Sequence, residues 1–224
     1  MSTNDPTEAK LSNGVMSVGD GTRIFPDVEA CIDCGGCVVA CKRTWDVPVD
    51  EQRIDITTML EGHEADEGYN GKQVQAIEDG KNPGETSLPM QCYHCDNAPC
   101  VSVCPTNALQ KRDDRFVEVV DDLCIGCQYC LSGCPFGAPQ YPDSDDGVPS
   151  IVGSGGTMDK CTGCQERQEA GQGPACAEEC ATNAILVGST GEIADELEKR
   201  GSGSFFNDTA LEVIFGEEAD MMKR

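Results

Sequence analysis

Four runs of closely spaced cysteines constrain this chain more than any other feature. The two central runs are Cys92-x2-Cys95-x4-Cys100-x3-Cys104-Pro105 and Cys124-x2-Cys127-x2-Cys130-x3-Cys134-Pro135. Each run places three thiols in one tight loop and a fourth shortly after it. The proline that follows fixes φ and donates no backbone hydrogen bond, so the chain turns away there. Such loops indicate centres that are wrapped by several thiolates at once.

The second central run has the spacing of the bacterial ferredoxin signature, in which thiolates hold a four-iron, four-sulfide cluster. The first central run is the same pattern with two residues added before Cys100. In two-cluster ferredoxins the fourth cysteine of each run ligates the cluster of the other run, so the two runs interlock. The central segment, Cys92 to Pro135, therefore predicts a two-cluster ferredoxin module.

Two further runs flank this segment. They are Cys31-x2-Cys34-x2-Cys37-x3-Cys41, followed by Lys42 instead of proline, and Cys161-x2-Cys164-x11-Cys176-x3-Cys180. The long gap in the last run weakens it as an isolated motif, and alone it would suit zinc. Together the four runs use all 16 cysteines. At four thiolates per cluster, this predicts four clusters with no cysteine left over.

Zinc and disulfides are the alternatives for a chain so rich in cysteine. Aromatic residues are few (six Phe, four Tyr and one Trp), so a conventional apolar core would be thin and metal centres or disulfides must stabilise the fold. Zinc takes four tetrahedral ligands, and neither zinc nor a disulfide scaffold needs a third, equally spaced cysteine in one loop. The spacing favours iron–sulfur clusters.

The net charge of −24 excludes nucleic acid as a partner, because phosphate binding needs a basic surface. Acidic residues occur throughout the chain. We interpret them as an adaptation to concentrated salt, where charge repulsion is screened. Ordinary solvated acidic faces, with an acidic tail at each end, are the alternative.

No apolar run approaches the 18 or more residues that span a membrane. The N-terminal residues, Met1 to Val15, contain neither an apolar signal core nor a twin-arginine pair. We therefore expect a chain that is soluble by itself and is assembled in a reducing compartment.

Alternation and turn residues predict short strands and one clear helix. Ile24–Val28 is interpreted as a short extended entry to the first cysteine run. Strands are expected over Arg53–Thr57, Arg115–Val120 and Asn183–Val187, with Ala108-Leu109 before the second of them in a short hairpin. Ser189 and Glu192 form a capping box for a helix that runs to about Arg200 and stops at Gly201. The apolar tail, Phe205 to Met222, either packs on the globule or docks a partner; we favour packing.

Several residues near the cysteines have two interpretations. His94 either donates a hydrogen bond to a cluster or is a loop residue that points outward, whereas His63 has no ligand-spaced neighbours and is interpreted as solvated. Trp45 is interpreted as a hydrophobic lid over a cluster. The basic residues close to ligands either raise cluster potentials or are solvated surface charges, the interpretation we favour; they are Lys42, Arg43, Lys160 and Arg167.

With all four runs placed, residues 28–200 resemble the four-cluster iron–sulfur subunit of the molybdopterin oxidoreductases of the dimethyl-sulfoxide-reductase superfamily. The resemblance is carried by "CYHCDNAPCVSVCPTNAL", "RFVEVVDDLCIGCQYCLSGCPFGAPQY" and "MDKCTGCQERQEAGQGPACAEEC". Some relatives have tryptophan at the position of Cys130 and hold a three-iron cluster there, so Cys130 implies a complete four-iron cluster. Ala181 stands where the family usually has proline.

The resemblance implies an α+β fold of two interleaved bacterial-ferredoxin-like modules, loop-rich, with short hairpins and helices. It divides the chain into a loose polar leader (1–27), a first module (28–60 with 158–200), an inserted second module (85–157) and a C-terminal tail (201–224). It also implies four ligand sets: Cys31, Cys34, Cys37 and Cys180; Cys161, Cys164, Cys176 and Cys41; Cys92, Cys95, Cys100 and Cys134; Cys124, Cys127, Cys130 and Cys104.

The implied function is electron transfer in anaerobic respiration, with no catalysis by this chain alone. Four [4Fe–4S] clusters would relay electrons between a molybdenum or tungsten pterin subunit and a membrane anchor or another redox partner. The protein would be peripheral to the cytoplasmic membrane. A dimethyl sulfoxide reductase is favoured; a formate dehydrogenase or a sulfur-compound reductase is the close alternative. A free polyferredoxin and a zinc-stabilised interaction module are the more distant ones.

Overall fold

The computed structural model describes residues 14–19, 21–48, 51–58, 87–141, 156–202 and 206–223. Within them the chain forms short strands and helices joined by loops. The strands are β1 (Arg23–Pro26), β2 (Ile54–Thr58), β3 (Ser87–Gln91), β4 (Leu109–Lys111), β5 (Val117–Val119) and β6 (Ile185–Gly188). The helices are α1 (Gly36–Trp45), α2 (Pro99–Ser102), α3 (Tyr129–Gly133), α4 (Gln165–Glu169), α5 (Ala175–Glu178), α6 (Thr190–Arg200) and α7 (Asp208–Phe215). His63 lies outside the described residues.

Strands β1 and β6 form an antiparallel pair that joins the beginning of the described chain to its later part. Phe25 lies opposite Leu186 in this pair, and both side chains enter one hydrophobic cluster. Ile24 enters a second cluster on the other face, because successive side chains of a strand point to opposite sides. The pair is therefore buried on both faces.

This burial corrects the expectation of a loose leader over residues 1–27. All four residues of β1 are buried, and Val15 is 3% exposed and pairs with Val187. The leader looked loose because it is polar and glycine-containing, whereas Val15 and the residues of β1 pair with β6. The part of the leader from residue 22 on, together with Val15, belongs to the core.

Two antiparallel hairpin-like pairs complete the sheets of the described chain. In β4–β5, Leu109 lies opposite Val119, and Arg115 takes a positive φ of 73° in the turn between the strands. This pair is the hairpin expected between the central cysteine runs. Strand β2 pairs with β3, with Ile54 opposite Gln91. The resulting mixed α/β fold has small sheets and several helices.

The predicted capping box is present at the start of α6. The Ser189 side chain accepts a hydrogen bond from the backbone N–H of Glu192, whose carboxylate accepts one from the Ser189 N–H. Gly201 ends the helix in the left-handed conformation at φ 71°, where a residue with a β-carbon is disfavoured. Both helix signals in the sequence are confirmed.

The tail packs on the globule over its described part. Leu211, Ile214 and Phe215 of α7 are buried in the same hydrophobic cluster as Phe25. The backbone N–H of Asp96 donates to the carbonyl of Ile214 at 3.0 Å. The tail therefore covers the loop that follows Cys95.

Candidate metal centres

The structure gathers the 16 cysteines into four groups of four, and each group takes three residues from one run and one from another. Group one is Cys31, Cys34, Cys37 and Cys180; group two is Cys41, Cys161, Cys164 and Cys176; group three is Cys92, Cys95, Cys100 and Cys134; group four is Cys104, Cys124, Cys127 and Cys130. Members of a group lie within electrostatic reach of one another or line one cavity. The resemblance implied the same four sets as ligand sets, and their ligation of clusters stays a prediction.

Short helices bring the members of each group together. Helix α1 carries Cys37 on its first turn and Cys41 one turn later, and it packs on α5, which carries Cys176. Helix α2 carries Cys100 and packs on α3, which carries Cys130. In each run, the cysteine at the start of the helix and the cysteine about one turn later therefore belong to different groups.

Two positions in the ligand loops require glycine. Gly35 precedes α1 with φ 70°, a conformation that glycine adopts without steric cost. Gly163 has φ 69°, and a β-carbon there would lie 2.2 Å from the Phe116 ring. The loop of group two is thus packed against the β4–β5 hairpin with no space for a side chain.

Burial differs systematically among the groups. All four cysteines of group two are buried. In group one Cys34 is exposed, and in group four only Cys130 is buried. Group three is intermediate, with Cys92 and Cys95 buried. Groups one and four therefore lie nearest the protein surface.

The thiols in these groups are costly to ionise without a positive centre. Burial raises the pKa of Cys37 to about 12, and the neighbouring thiols of Cys180 and Cys31 add to the rise. Burial also raises the pKa of Cys100 to about 12, with a further contribution from Cys92. In Cys176 burial and three thiols of group two together raise the pKa well above its usual value. Thiolates in these positions therefore need a cationic metal centre close to them.

The donor sets fit [4Fe–4S] clusters. Each group offers four sulfur donors, and the cavities of groups two and four are lined mainly by apolar side chains and cysteines. Backbone N–H groups already point at several sulfurs: Gly163 N lies 3.3 Å from Cys161 Sγ, and Ala184 N lies 3.2 Å from Cys180 Sγ. Hydrogen bonds to sulfur are a recognised means of tuning cluster potential.

Two side chains also form hydrogen bonds with cysteine sulfurs. Trp45 Nε1 lies 3.4 Å from Cys164 Sγ, and the indole packs beside group two, as a lid over a cluster would. Tyr141 Oη lies 2.8 Å from Cys130 Sγ. Sequence reasoning placed Tyr141 only in the segment after Pro135 and gave it no role. A tyrosine shortly after a cysteine run was the available signal.

His94 is 4% exposed, so the outward-pointing alternative is wrong. Its Nδ1 accepts the backbone N–H of Val117 at 3.0 Å, which leaves the proton of the neutral ring on Nε2. Burial holds the pKa of His94 well below its usual value, and the charges of Lys160 and Lys111 lower it further. The imidazole is therefore neutral and packed against Phe116, and its buried Nε2 has no hydrogen-bond partner among the described residues.

The four basic residues near ligands separate into two kinds. Arg43 is 64% exposed and pairs with Glu179 at 2.5 Å; Arg167 pairs with Glu178 at 2.5 Å. Lys42 donates to the carbonyl of Pro48 at an exposed position. Lys160 is different, because it is 3% exposed. The interpretation as a solvated surface charge is wrong for Lys160.

The groups follow one another in a row. Groups one and two meet where Cys37 and Cys176 influence each other electrostatically. Groups two and three meet at Cys161 and Cys92. Groups three and four are joined by the packing of α2 on α3. The order along the row is one, two, three, four.

Among the described residues, no helix is both long enough and apolar enough to cross a membrane.

Comparison with known proteins gives the family. Residues 85–190 and residues 30–108 each match a domain family described as a 4Fe-4S dicluster domain. The formate dehydrogenase iron–sulfur subunit of Wolinella succinogenes is 38% identical over an alignment of 203 residues that covers 81% of this chain and 90% of that protein. A subunit of the anaerobic dimethyl sulfoxide reductase of Escherichia coli is 35% identical over 79% of this chain and 75% of its own length. The thiosulfate reductase electron transfer subunit of Salmonella typhi is 36% identical over 74% of each chain.

A chain with four such thiol groups and two dicluster ferredoxin domains is an iron–sulfur electron-transfer protein. It belongs to the four-cluster iron–sulfur subunits of the dimethyl-sulfoxide-reductase superfamily of molybdopterin oxidoreductases. The chain carries four [4Fe–4S] clusters and serves as an electron-transfer subunit of an oxidoreductase complex. It is not catalytic by itself.

Proposed function

We propose that each cysteine group ligates one cluster, so that the fourth cysteine of each run crosses to the cluster of its partner run. The chain then forms two interleaved ferredoxin-like modules, the second (85–157) inserted into the first (28–60 with 158–200). The pairing of β1 with β6 and the packing of α1 on α5 support this arrangement, since both bring the outer runs together. One-electron transfer is the chemistry that the clusters supply when bound.

The row of groups supports a linear relay from group one to group four. The residues of the chain set the spacing, exclude water and supply hydrogen bonds to sulfur. Group two, in the interior of the row, is wholly buried, while both end groups have cysteines near the surface. An electron carrier needs this arrangement, because electrons must enter and leave at the ends and be shielded between them.

Exposed apolar side chains at both ends support two docking surfaces. Beside group one, Ile32 is 63% exposed and Val39 is 61% exposed. At the other end, the exposed large apolar residues are Val103, Leu123, Ile125, Tyr129 and Leu131. Contiguous exposed apolar surface marks interaction sites. We assign one end to a catalytic subunit with a molybdenum or tungsten pterin and the other to a membrane anchor or another redox partner.

The names of the relatives suggest which substrates the complex could act on. Their names specify formate, dimethyl sulfoxide and thiosulfate. We propose a respiratory complex of this kind, with a dimethyl sulfoxide or related oxide reductase as the first candidate and a formate dehydrogenase as the second. The complex is held at the cytoplasmic membrane through its anchor subunit. A free polyferredoxin remains the alternative from another class.

The test is anaerobic purification of the tagged native chain in high salt, followed by mass spectrometry of the proteins that remain bound. A large pterin-binding subunit, with a hydrophobic anchor, is the expected result. Its sequence and its activity with formate or with an oxide substrate then identify the reaction. A chain that carries iron but binds no subunit would overturn the assignment to a complex and favour the free carrier.

A further inference from the structure

Lys160 is a buried cation with no carboxylate partner in the part of the chain that the structure describes. Its side chain is 3% exposed, and its Nζ donates to two backbone carbonyls, Val117 at 2.5 Å and Cys161 at 3.1 Å. Among the described residues, no carboxylate lies within ion-pair distance of this ammonium. Its neighbour Asp159 pairs with Arg53 at 2.7 Å instead. Burying an uncompensated charge is unfavourable, so a negative centre other than the carboxylates of the described residues must offset it.

The position of Lys160 identifies that centre. Lys160 directly precedes Cys161 of group two and donates to its carbonyl, and its charge also acts on the thiol of Cys100 in group three. Groups two and three approach each other at Cys161 and Cys92. The ammonium therefore lies at the junction between the second and third groups of the row.

A second lysine near this junction provides an internal contrast. Lys111 Nζ donates to the carbonyls of His94 and Cys95, both at 2.7 Å, but it also has Asp96 at 3.4 Å. The positive charge of Lys111 is thus shared with a carboxylate. Of these two lysines, only Lys160 has no described carboxylate within ion-pair distance, so its charge remains available to the clusters.

Group two needs such a charge more than any other group. All four of its cysteines are buried, and low dielectric surroundings disfavour the extra negative charge that a cluster gains on reduction. A cluster of much lower potential than its neighbours would obstruct a linear relay. A nearby buried cation opposes this effect, because charges interact strongly where water is excluded.

We propose that the Lys160 ammonium is the counter-charge of the step between clusters two and three and raises the reduction potentials of both. This proposal rests on the ligation proposed above. It assigns Lys160 a positioning role in electron transfer between the two modules: it acts on the clusters through their electrostatic surroundings and ligates neither.

The test compares Lys160→Met and Lys160→Gln in the full cluster-bearing chain with Arg43→Gln. Methionine removes the charge and both donors, whereas glutamine removes the charge and keeps a donor for the carbonyls. Arg43 is a matched control because it is two residues from the ligand Cys41 but is exposed and paired. Anaerobic redox titrations monitored by electron paramagnetic resonance give the midpoint potentials, and iron and sulfide are determined on every sample.

Both Lys160 variants are expected to lower the reduction potentials of two of the four clusters by about 59 mV. For one electron, this corresponds to a tenfold change in the reduction equilibrium. The paramagnetic resonance signal that is lost in Cys41→Ser belongs to cluster two, and the one that is lost in Cys134→Ser belongs to cluster three. The two shifted potentials should belong to these signals. Arg43→Gln should leave all four potentials in place. The electrostatic role is supported if glutamine acts like methionine.

Unchanged potentials at full iron content would overturn this proposal and leave the relay intact. A shift of the potentials in Lys160→Met but not in Lys160→Gln would assign the effect to the lost hydrogen bonds. Loss of iron in both variants would show that Lys160 has a purely structural role. Either result would overturn the proposal. Wild-type protein with much less iron than four cubanes would instead contradict the cluster assignment itself, and this proposal with it.

Discussion

The phenol of Tyr141 lies 2.8 Å from the sulfur of Cys130, in the cavity that the cysteines of group four share. A ligating cysteine is a thiolate and has no proton to donate, so the tyrosine O–H must be the donor. Burial and this hydrogen bond together raise the pKa of Tyr141 far above its usual value. The hydroxyl therefore keeps its proton at any pH that the clusters tolerate.

Tyr141→Phe should lower the reduction potential of cluster four. The hydrogen bond stabilises negative charge on sulfur, and the reduced cluster has more of it. We expect a decrease of roughly 30–60 mV, since 59 mV is a tenfold change for one electron. Tyr129→Phe is the matched control, because Tyr129 is next to Cys130 but 56% exposed. Redox titration with resonance detection measures both; equal shifts in the two variants would contradict the hydrogen-bond explanation.

Paired serine substitutions test the crossing of ligands between runs. If Cys41 and Cys161 ligate one cluster, Cys41→Ser and Cys161→Ser should each remove it, and the double variant should lose no more than either single variant. About twelve of sixteen irons would remain in all three. Each single variant should lose the cluster because a cubane held by three thiolates and one weaker ligand is labile. The second substitution then has no cluster left to remove.

The control pair for this experiment is Cys41→Ser with Cys31→Ser, which lie in the same run but in different groups. Here the losses should add, leaving about eight irons. Iron analysis and the number of resonance signals distinguish the two patterns. Additive loss in the first pair, with no further loss in the second, would show that each run ligates its own cluster.

Asp96 is the centre of an ion-pair network that joins β1, the loop after Cys95, the turn of the β4–β5 hairpin and the C-terminal tail. It pairs with Arg23 of β1, whose side chain is 3% exposed, and lies 3.9 Å from Arg115, which binds Glu218 at 2.9 Å. Asp96→Asn leaves the buried guanidinium without its carboxylate. Removing one partner of a buried pair costs about 3 kcal/mol, or roughly 6–12 °C in melting temperature for a chain of this size.

Glu179→Gln is the comparison for Asp96→Asn, because it breaks the exposed pair with Arg43. An exposed pair contributes about 1 kcal/mol or less. Anaerobic thermal unfolding, followed by circular dichroism and by cluster absorbance, measures both variants. A melting temperature in Asp96→Asn no lower than that of Glu179→Gln would show that the network adds little to stability.

The cysteine groups followed from the sequence because cluster ligation is local. Three ligands of a group lie in one loop, so their spacing is visible without a structure. The same holds for the β4–β5 hairpin and for the capping box of Ser189, which depend on neighbours within a few residues. For groups one and two the fourth member came only from the family resemblance, since nothing near Cys41 or Cys180 indicates which run it joins.

Long-range packing explains the features that the sequence did not reveal. Val15 and β1 belong to the core because β6, about 160 residues later, covers them. Lys160 and His94 have the composition of surface residues, and only the packing of the group two loop on the β4–β5 hairpin buries them. The hydroxyl of Tyr141 was equally hidden, since its partner is 11 residues away.

The acidity of the chain predicts that its stability rises with salt. At a net charge of −24, repulsion among surface carboxylates opposes the folded state, and it is screened as the Debye length falls from about 10 Å at 0.1 M salt to about 3 Å at 1 M. We expect the melting temperature to rise by at least about 6 °C between 0.1 M and 2 M KCl, or roughly 2–3 kcal/mol for a domain of this size.

The combined variant Asp113→Asn, Asp122→Asn and Glu217→Gln should weaken this salt dependence, because all three side chains are exposed and each substitution removes one negative charge. Potassium sulfate at the same ionic strength separates screening from salt exclusion, since screening depends on ionic strength, whereas sulfate also favours burial by exclusion from the surface. A melting temperature that rises with salt equally in the variant and the wild type would indicate exclusion alone. Such a result would favour ordinary solvated acidic faces over adaptation to concentrated salt.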